Sequence, residues 1–219
     1  MAIRVASPAR EEGRHWLPSQ GVDPAPLTEL NAECLGLLSE RAAAAGGAAL
    51  PPLLAALRTE WIELPVQAAR RLAAAPFSLF DAGFGFAPRW LGLRGGGVHD
   101  ASHRAGTPYF DSSDARSLSR RMLVYGWHLA RSRPRAACLV FGATISAVES
   151  LAACSLAALE AAAERNAETL RPRWSNQIGF WRELLSTASA AADNRLHELM
   201  LGGIQRLAAD TLAAHAPSP

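Results

Sequence analysis

Six arginines crowd into twenty residues: Arg116, Arg120, Arg121, Arg131, Arg133 and Arg135, with Asp114 close by. Such a cluster can hold phosphates, fix the register of a duplex and give binding a steep salt dependence. The alternative is a solvated face whose guanidinium groups pair with glutamates elsewhere. His99-Asp100-Ala101-Ser102-His103 offers a second kind of chemistry. Two imidazoles four apart share one face of a helix, which is how zinc sites are often built. Here the segment lies between glycines and Pro108, where no helix is expected, and no third ligand is fixed nearby. A solvated loop is the expectation, and no metal is assigned. Arg94-Gly95-Gly96-Gly97 could turn backbone N–H groups toward a phosphate. No strand precedes it, no helix follows directly, and the loop reads as a linker.

Further catalytic signatures are missing. The 22 basic residues are all arginine. The lack of lysine excludes a Schiff-base lysine, a P-loop lysine and a lysine general base. No Gly-x-Ser-x-Gly elbow is present, and Glu160 and Glu164 sit one turn apart on a face expected to be exposed. No catalytic, cofactor-binding or metal residue is assigned, and the chain is read as a non-enzyme without a cofactor.

Composition sets the frame. At 219 residues and 49% apolar, the chain can bury a substantial core as one domain or two small ones. A formal net charge of +2 gives no whole-protein field toward nucleic acid or membrane. Cys34, Cys138 and Cys154 form no close pair. An odd count without a signal sequence points to the reducing cytoplasm. Met1 to Gln20 carries no apolar run, and no stretch reaches the roughly 20 apolar residues of a membrane span.

The elements that must position these residues read as helices throughout. Residues 1–25 form an irregular arm. Residues 26–91 form an N-terminal helical half: a helix from Leu27 to about Ala45 ended by Gly46-Gly47, then helices over 51–75 divided at Pro65. Leu53, Leu54, Leu57, Trp61 and Ile62 recur at helical spacing. Residues 76–91 carry Phe77, Phe80, Phe84, Phe86 and Trp90, and their aromatics suggest packing onto the core. Residues 92–112 form a flexible linker. Residues 113–216 form a C-terminal helical half. Asp114 caps its first helix, whose stripe is Leu118, Met122, Tyr125 and Leu129. Pro134 ends that helix. Residues 134–166 then have the rhythm of a helix-turn-helix, with a stop at Gly142 and a turn at Cys154-Ser155. Leu151, Leu156, Leu159 and Ala163 would close its small core, and Ser155 would cap the last helix. Ser175 caps a helix with Ile178, Trp181, Leu184 and Leu185, and a last helix runs from about Ala191 to Ala214. No strand has convincing alternation. The fold class is all-α, a multi-helix bundle with a helix-turn-helix-like segment and a long loop rich in glycine and aromatics.

The helix after Ser155 makes a poor reader of bases. Its exposed positions, Ala157, Ala158, Glu160, Ala161, Glu164 and Arg165, include no Asn or Gln, and acids at a phosphate surface are unfavourable. DNA contacts would fall to the arginines ahead of it.

Over residues 137–166 the chain resembles the flagellar transcriptional regulator FlhD family. The matching residues are Ala137, Gly142, Leu151-Ala152-Ala153, Ser155-Leu156 and Ala163-Glu164-Arg165-Asn166, without a gap. The resemblance implies a helical DNA-binding regulator that works as an oligomer with a partner subunit. The chain is about twice that family's length, and its N-terminal half and the Trp174 to Trp181 region fall outside the match.

Two functions emerge. One is a cytoplasmic transcriptional regulator, a homo- or hetero-oligomer, that binds DNA through Arg116, Arg120, Arg121, Arg131, Arg133 and Arg135. The other is a protein-interaction adaptor or chaperone-like component of a secretion or motility apparatus. It would present Trp174, Phe180 and Trp181 to its protein partner, since aromatic and arginine anchors are favoured in interfaces. Neither involves a membrane.

Overall fold

The computed structural model describes residues 23–44, 49–84 and 107–213. The arm over 1–25, apart from its last three residues, and the linker up to residue 106 lie outside them. So do the His99/His103 loop, Gly95-Gly96-Gly97, Phe86 and Trp90.

Apolar residues three and four apart dictate the first helix, α1 (Ala25–Ala44), which buries Leu27, Leu30, Cys34, Leu35, Leu38 and Ala42 along one face. Three short helices follow: α2 (Pro52–Ala56), α3 (Arg58–Ile62) and α4 (Val66–Ala73). Pro65 stands immediately before α4 in extended conformation, where its missing N–H interrupts no helical bond, and it divides α3 from α4. A further break at Leu57 separates α2 from α3. The chain then runs extended through β1 (Phe80–Asp81).

The C-terminal half begins with the long helix α5 (Ser112–Ser132). Its N-cap is Asp111 rather than Asp114, which lies in the first turn, where a carboxylate still favours the helix dipole. Helices α6 (Pro134–Phe141), α7 (Ile145–Ala152) and α8 (Leu156–Asn166) follow. Gly142 ends α6 at φ 57°, the left-handed cap that glycine adopts at low cost. The Ser155 hydroxyl accepts from Ala158 N at 3.2 Å and caps α8. Both α7 and α8 lie against α5. Leu151, Leu159 and Ala163 are buried there, but Leu156, the first residue of α8, is 56% exposed.

After a 3-10 turn at Ala167–Thr169, β2 (Arg171–Pro172) pairs antiparallel with β1, setting Phe80 opposite Pro172 and Asp81 opposite Arg171. This two-residue ribbon is the sole sheet among the described residues. Helix α9 (Ile178–Ser189) is preceded by Gln177, not capped by Ser175, and α10 (Asp193–Ala213) closes the structure.

The described residues are therefore all-α apart from the ribbon. Their two halves share one continuous buried cluster: α1 packs on α5, and α9 packs on α3 and α4. Phe77, Phe80 and Phe84 are buried in that cluster, as their aromatic spacing suggests. Among the described residues no single helix is long and apolar enough to cross a membrane. The apolar pair α6–α7 is bent by 117°, and its Val140, Phe141, Val148 and Leu151 are buried in the protein.

Candidate functional site

Helix α5 carries the first four of the six arginines, and the structure separates the set by what each side chain meets. Arg116 and Arg120 point across to α8, where they meet Glu164 at 3.8 Å and Glu160 at 2.6 Å. One turn of spacing on each helix makes the two pairs rungs of a ladder. Arg121 turns the other way and pairs with Glu33 on α1. Each of these three therefore has its own carboxylate. The glutamates of α8 are exposed, as their spacing suggests, and are the partners of α5.

Beyond the ladder, the corner where α5 hands over to α6 is different. Arg131 lays its guanidinium over the Trp127 ring, 4.8 Å from the centroid, and Trp127 is itself held by a 3.0 Å bond from Nε1 to the Cys154 carbonyl. Stacking of this kind orients the cation without neutralising it. Arg133 is half-buried at the junction, and Arg135 is exposed. Among the described residues Arg131 and Arg135 meet no carboxylate. Helix α6 also begins without a side-chain cap. Ala137 is the first of its amides to bond within the helix, donating to the Arg133 carbonyl at 3.1 Å. The amides of Arg135 and Ala136 are left among the unfilled donors that every helix start presents.

The aromatic residues also divide. Trp181 is fully buried, meets Trp61 at a tilt with ring centroids 5.6 Å apart, and donates from Nε1 to the Arg173 carbonyl at 2.7 Å. A partner cannot reach it; it is a core residue, drawn inside because α9 closes on α3 and α4. Trp174 and Phe180 are half-exposed and meet edge to face at 5.2 Å. Arg206 sits 4.9 Å above the Phe180 ring and bonds the Gln177 side chain.

A second polar site forms where the ribbon meets α10, and sequence reasoning missed it. Arg173 is only 8% exposed. Its Nε donates to the Ser78 carbonyl at 2.7 Å and its Nη2 to the Phe141 carbonyl at 2.5 Å, the latter at the negative end of α6. Burial pulls this guanidinium below the usual arginine range, while Asp81 and Asp210 act in the opposite sense. Neither carboxylate forms an ion pair with it. Trp174 follows at φ 50°, a left-handed conformation rare for a bulky side chain, and its Nε1 donates to Asp210 at 3.0 Å. Asp81 spends one oxygen on the amides of Gly83 and Phe84 at 2.9 and 3.1 Å. A depression of about 400 Å³ opens here, lined by Asp81, Arg171, Arg173, Trp174, Asn176 and Asp210, among others. The run Arg171-Pro172-Arg173-Trp174 was the available signal, but the two acids come from segments remote in sequence.

No metal-binding group of three or more His, Cys, Asp or Glu exists among the described residues. Cys34, Cys138 and Cys154 form no disulfide with one another. No protein-family model, no curated protein and no solved structure matches the chain.

Proposed function

We propose that the chain is a cytoplasmic helical regulator that grips nucleic-acid phosphates at the α5–α6 corner, within a complex that includes a protein partner. The carrying observation is that Arg131 and Arg135, which meet no carboxylate among the described residues, flank the uncapped start of α6 in the sequence. Helix N-termini favour anions because their amides and dipole both face outward. Two cations beside such a start supply the point charges that hold a phosphate. Arg116, Arg120 and Arg121, each already paired, are secondary in this reading, and α8 is not a base reader. Such contacts fix position and carry no sequence information. The partner would supply specificity, which agrees with what the resemblance to FlhD-type regulators implies. Cysteines outside any disulfide suit a cytoplasmic setting.

A polarisation titration against random duplex at two salt concentrations tests this. Each phosphate contact contributes about 0.9 to the slope of log K against log salt. The variant R131A/R135A should weaken binding and flatten the slope by about 2, whereas R116A/R120A should change it little. A wild-type protein with no salt-dependent binding would sink the reading.

A second reading, a protein-interaction adaptor, is favoured by the half-exposed pair Trp174 and Phe180 with Arg206 above the ring. Aromatics and arginine are the enriched interface anchors. A partner that co-purifies with the wild type and is lost from Phe180→Ala, with no duplex binding by either, would favour it.

A further inference from the structure

We propose that the depression beside the β1–β2 ribbon binds a small zwitterion of the free α-amino-acid class. The ligand's carboxylate would face Arg171 and Nη1 of Arg173, and its ammonium would face Asp81 and Asp210. Three observations converge on this site.

The first is unspent bonding capacity. Arg171 lies opposite Asp81 across the ribbon, yet the two do not pair, and the Arg171 guanidinium has no side-chain partner among the described residues. Arg173 uses Nε and Nη2 on backbone carbonyls and leaves Nη1 without an acceptor. Burying a guanidinium with only neutral acceptors is costly, and a ligand carboxylate would relieve that cost. Asp81 and Asp210 each commit a single oxygen.

The second is charge balance. Two guanidinium groups and two carboxylates line one depression. A simple anion would meet the aspartates and a simple cation the arginines. A molecule carrying both charges satisfies both sets.

The third is strain. Trp174 lines the depression in a left-handed conformation, held there by Asp210 and by edge contacts with Phe77 and Phe180. A bulky residue is strained in that region, and such outliers concentrate at ligand sites. The volume is also within the range of small-molecule sites, about 300–1,000 Å³.

Isothermal titration of the full chain with glycine and L-serine, against acetate and methylammonium at equal ionic strength, tests the assignment. The amino acids should bind saturably and at least tenfold more tightly than either half-molecule. Arg171→Ala and Asp210→Asn should each weaken them at least tenfold while the ligand-free melting temperature stays close to wild type. Asparagine can still accept from Trp174, so Asp210→Asn removes charge and keeps the tether. R131A/R135A should bind amino acids normally, which separates this site from the nucleic-acid reading. No saturable heat, acetate binding as tightly as glycine, or indifference to both site variants would each overturn the proposal.

Discussion

Trp61 on α3 and Trp181 on α9 meet with centroids 5.6 Å apart and planes inclined at 41°, both fully buried. The contact binds the N-terminal half to the C-terminal half. Two side chains of this size at one junction join the halves in one buried cluster.

Trp181→Ala should therefore cost about 3–5 kcal/mol through lost burial and the cavity left behind. It also strands the Arg173 carbonyl, which now accepts from Trp181 Nε1. In the wild type, urea unfolding followed by far-ultraviolet dichroism and by tryptophan fluorescence should give coincident curves. Separated curves would show that the halves unfold independently.

Asn31 is 1% exposed and holds three backbone groups: its Nδ2 donates to the Ala73 and Phe77 carbonyls, and its Oδ1 accepts from Leu79 N at 3.0 Å. Asn31→Ala leaves buried carbonyls and an amide without partners. The expected loss is about 3 kcal/mol. A lower urea midpoint with an unchanged slope is the signature to look for.

Adjacent glycines in α10 should respond with opposite signs. A Cβ on Gly203 would lie 2.4 Å from Phe77 Cζ, whereas one on Gly202 would meet nothing within 4 Å. Gly203→Ala should destabilise by about 1–3 kcal/mol through overpacking. Gly202→Ala should stabilise by up to about 1 kcal/mol, the helix-propensity difference. Thermal melts of the two variants check both signs.

Cys34 is fully buried, and desolvation drives its thiol well above the usual value of 9.0, with Glu33 adding to the rise. Burial likewise raises Tyr109 and Tyr125 above 10.0. A raised folded-state pKa favours the protonated form, so the full stability is present below the unfolded value. It is lost as pH climbs past about 9, where the unfolded chain ionises first. Stability should fall on the alkaline side, and Cys34→Ala should reduce the steepness between pH 9 and 10. The thiol should also resist alkylation in the folded protein.

Periodicity and proline made most helices legible in advance. The extent of α1, the division before α4, the stop at Gly142 and the cap at Ser155 depend on near neighbours in the chain, so a single sequence displays them. Helix starts at Ser112 and Ile178 were less readable, since several polar residues compete for each cap. The ribbon was invisible because two residues give no alternation, and its partners lie far apart in sequence. Of the candidate site, the arginine cluster was plain, but its division between paired and carboxylate-free members depends on Glu33, Glu160 and Glu164. Trp181 and Trp174 look alike in composition; only the packing of α9 decides which one is sealed inside.

Arg173 clasps the carbonyls of Ser78 and Phe141, three points scattered along the chain. During synthesis the segment containing Ser78 emerges long before its clasp exists, and α9, which must cover Trp61, emerges later still. The nascent N-terminal portion thus leaves the ribosome with greasy surface unprotected, a window in which aggregation competes with folding. Expression yield should consequently respond to chaperone supply during translation.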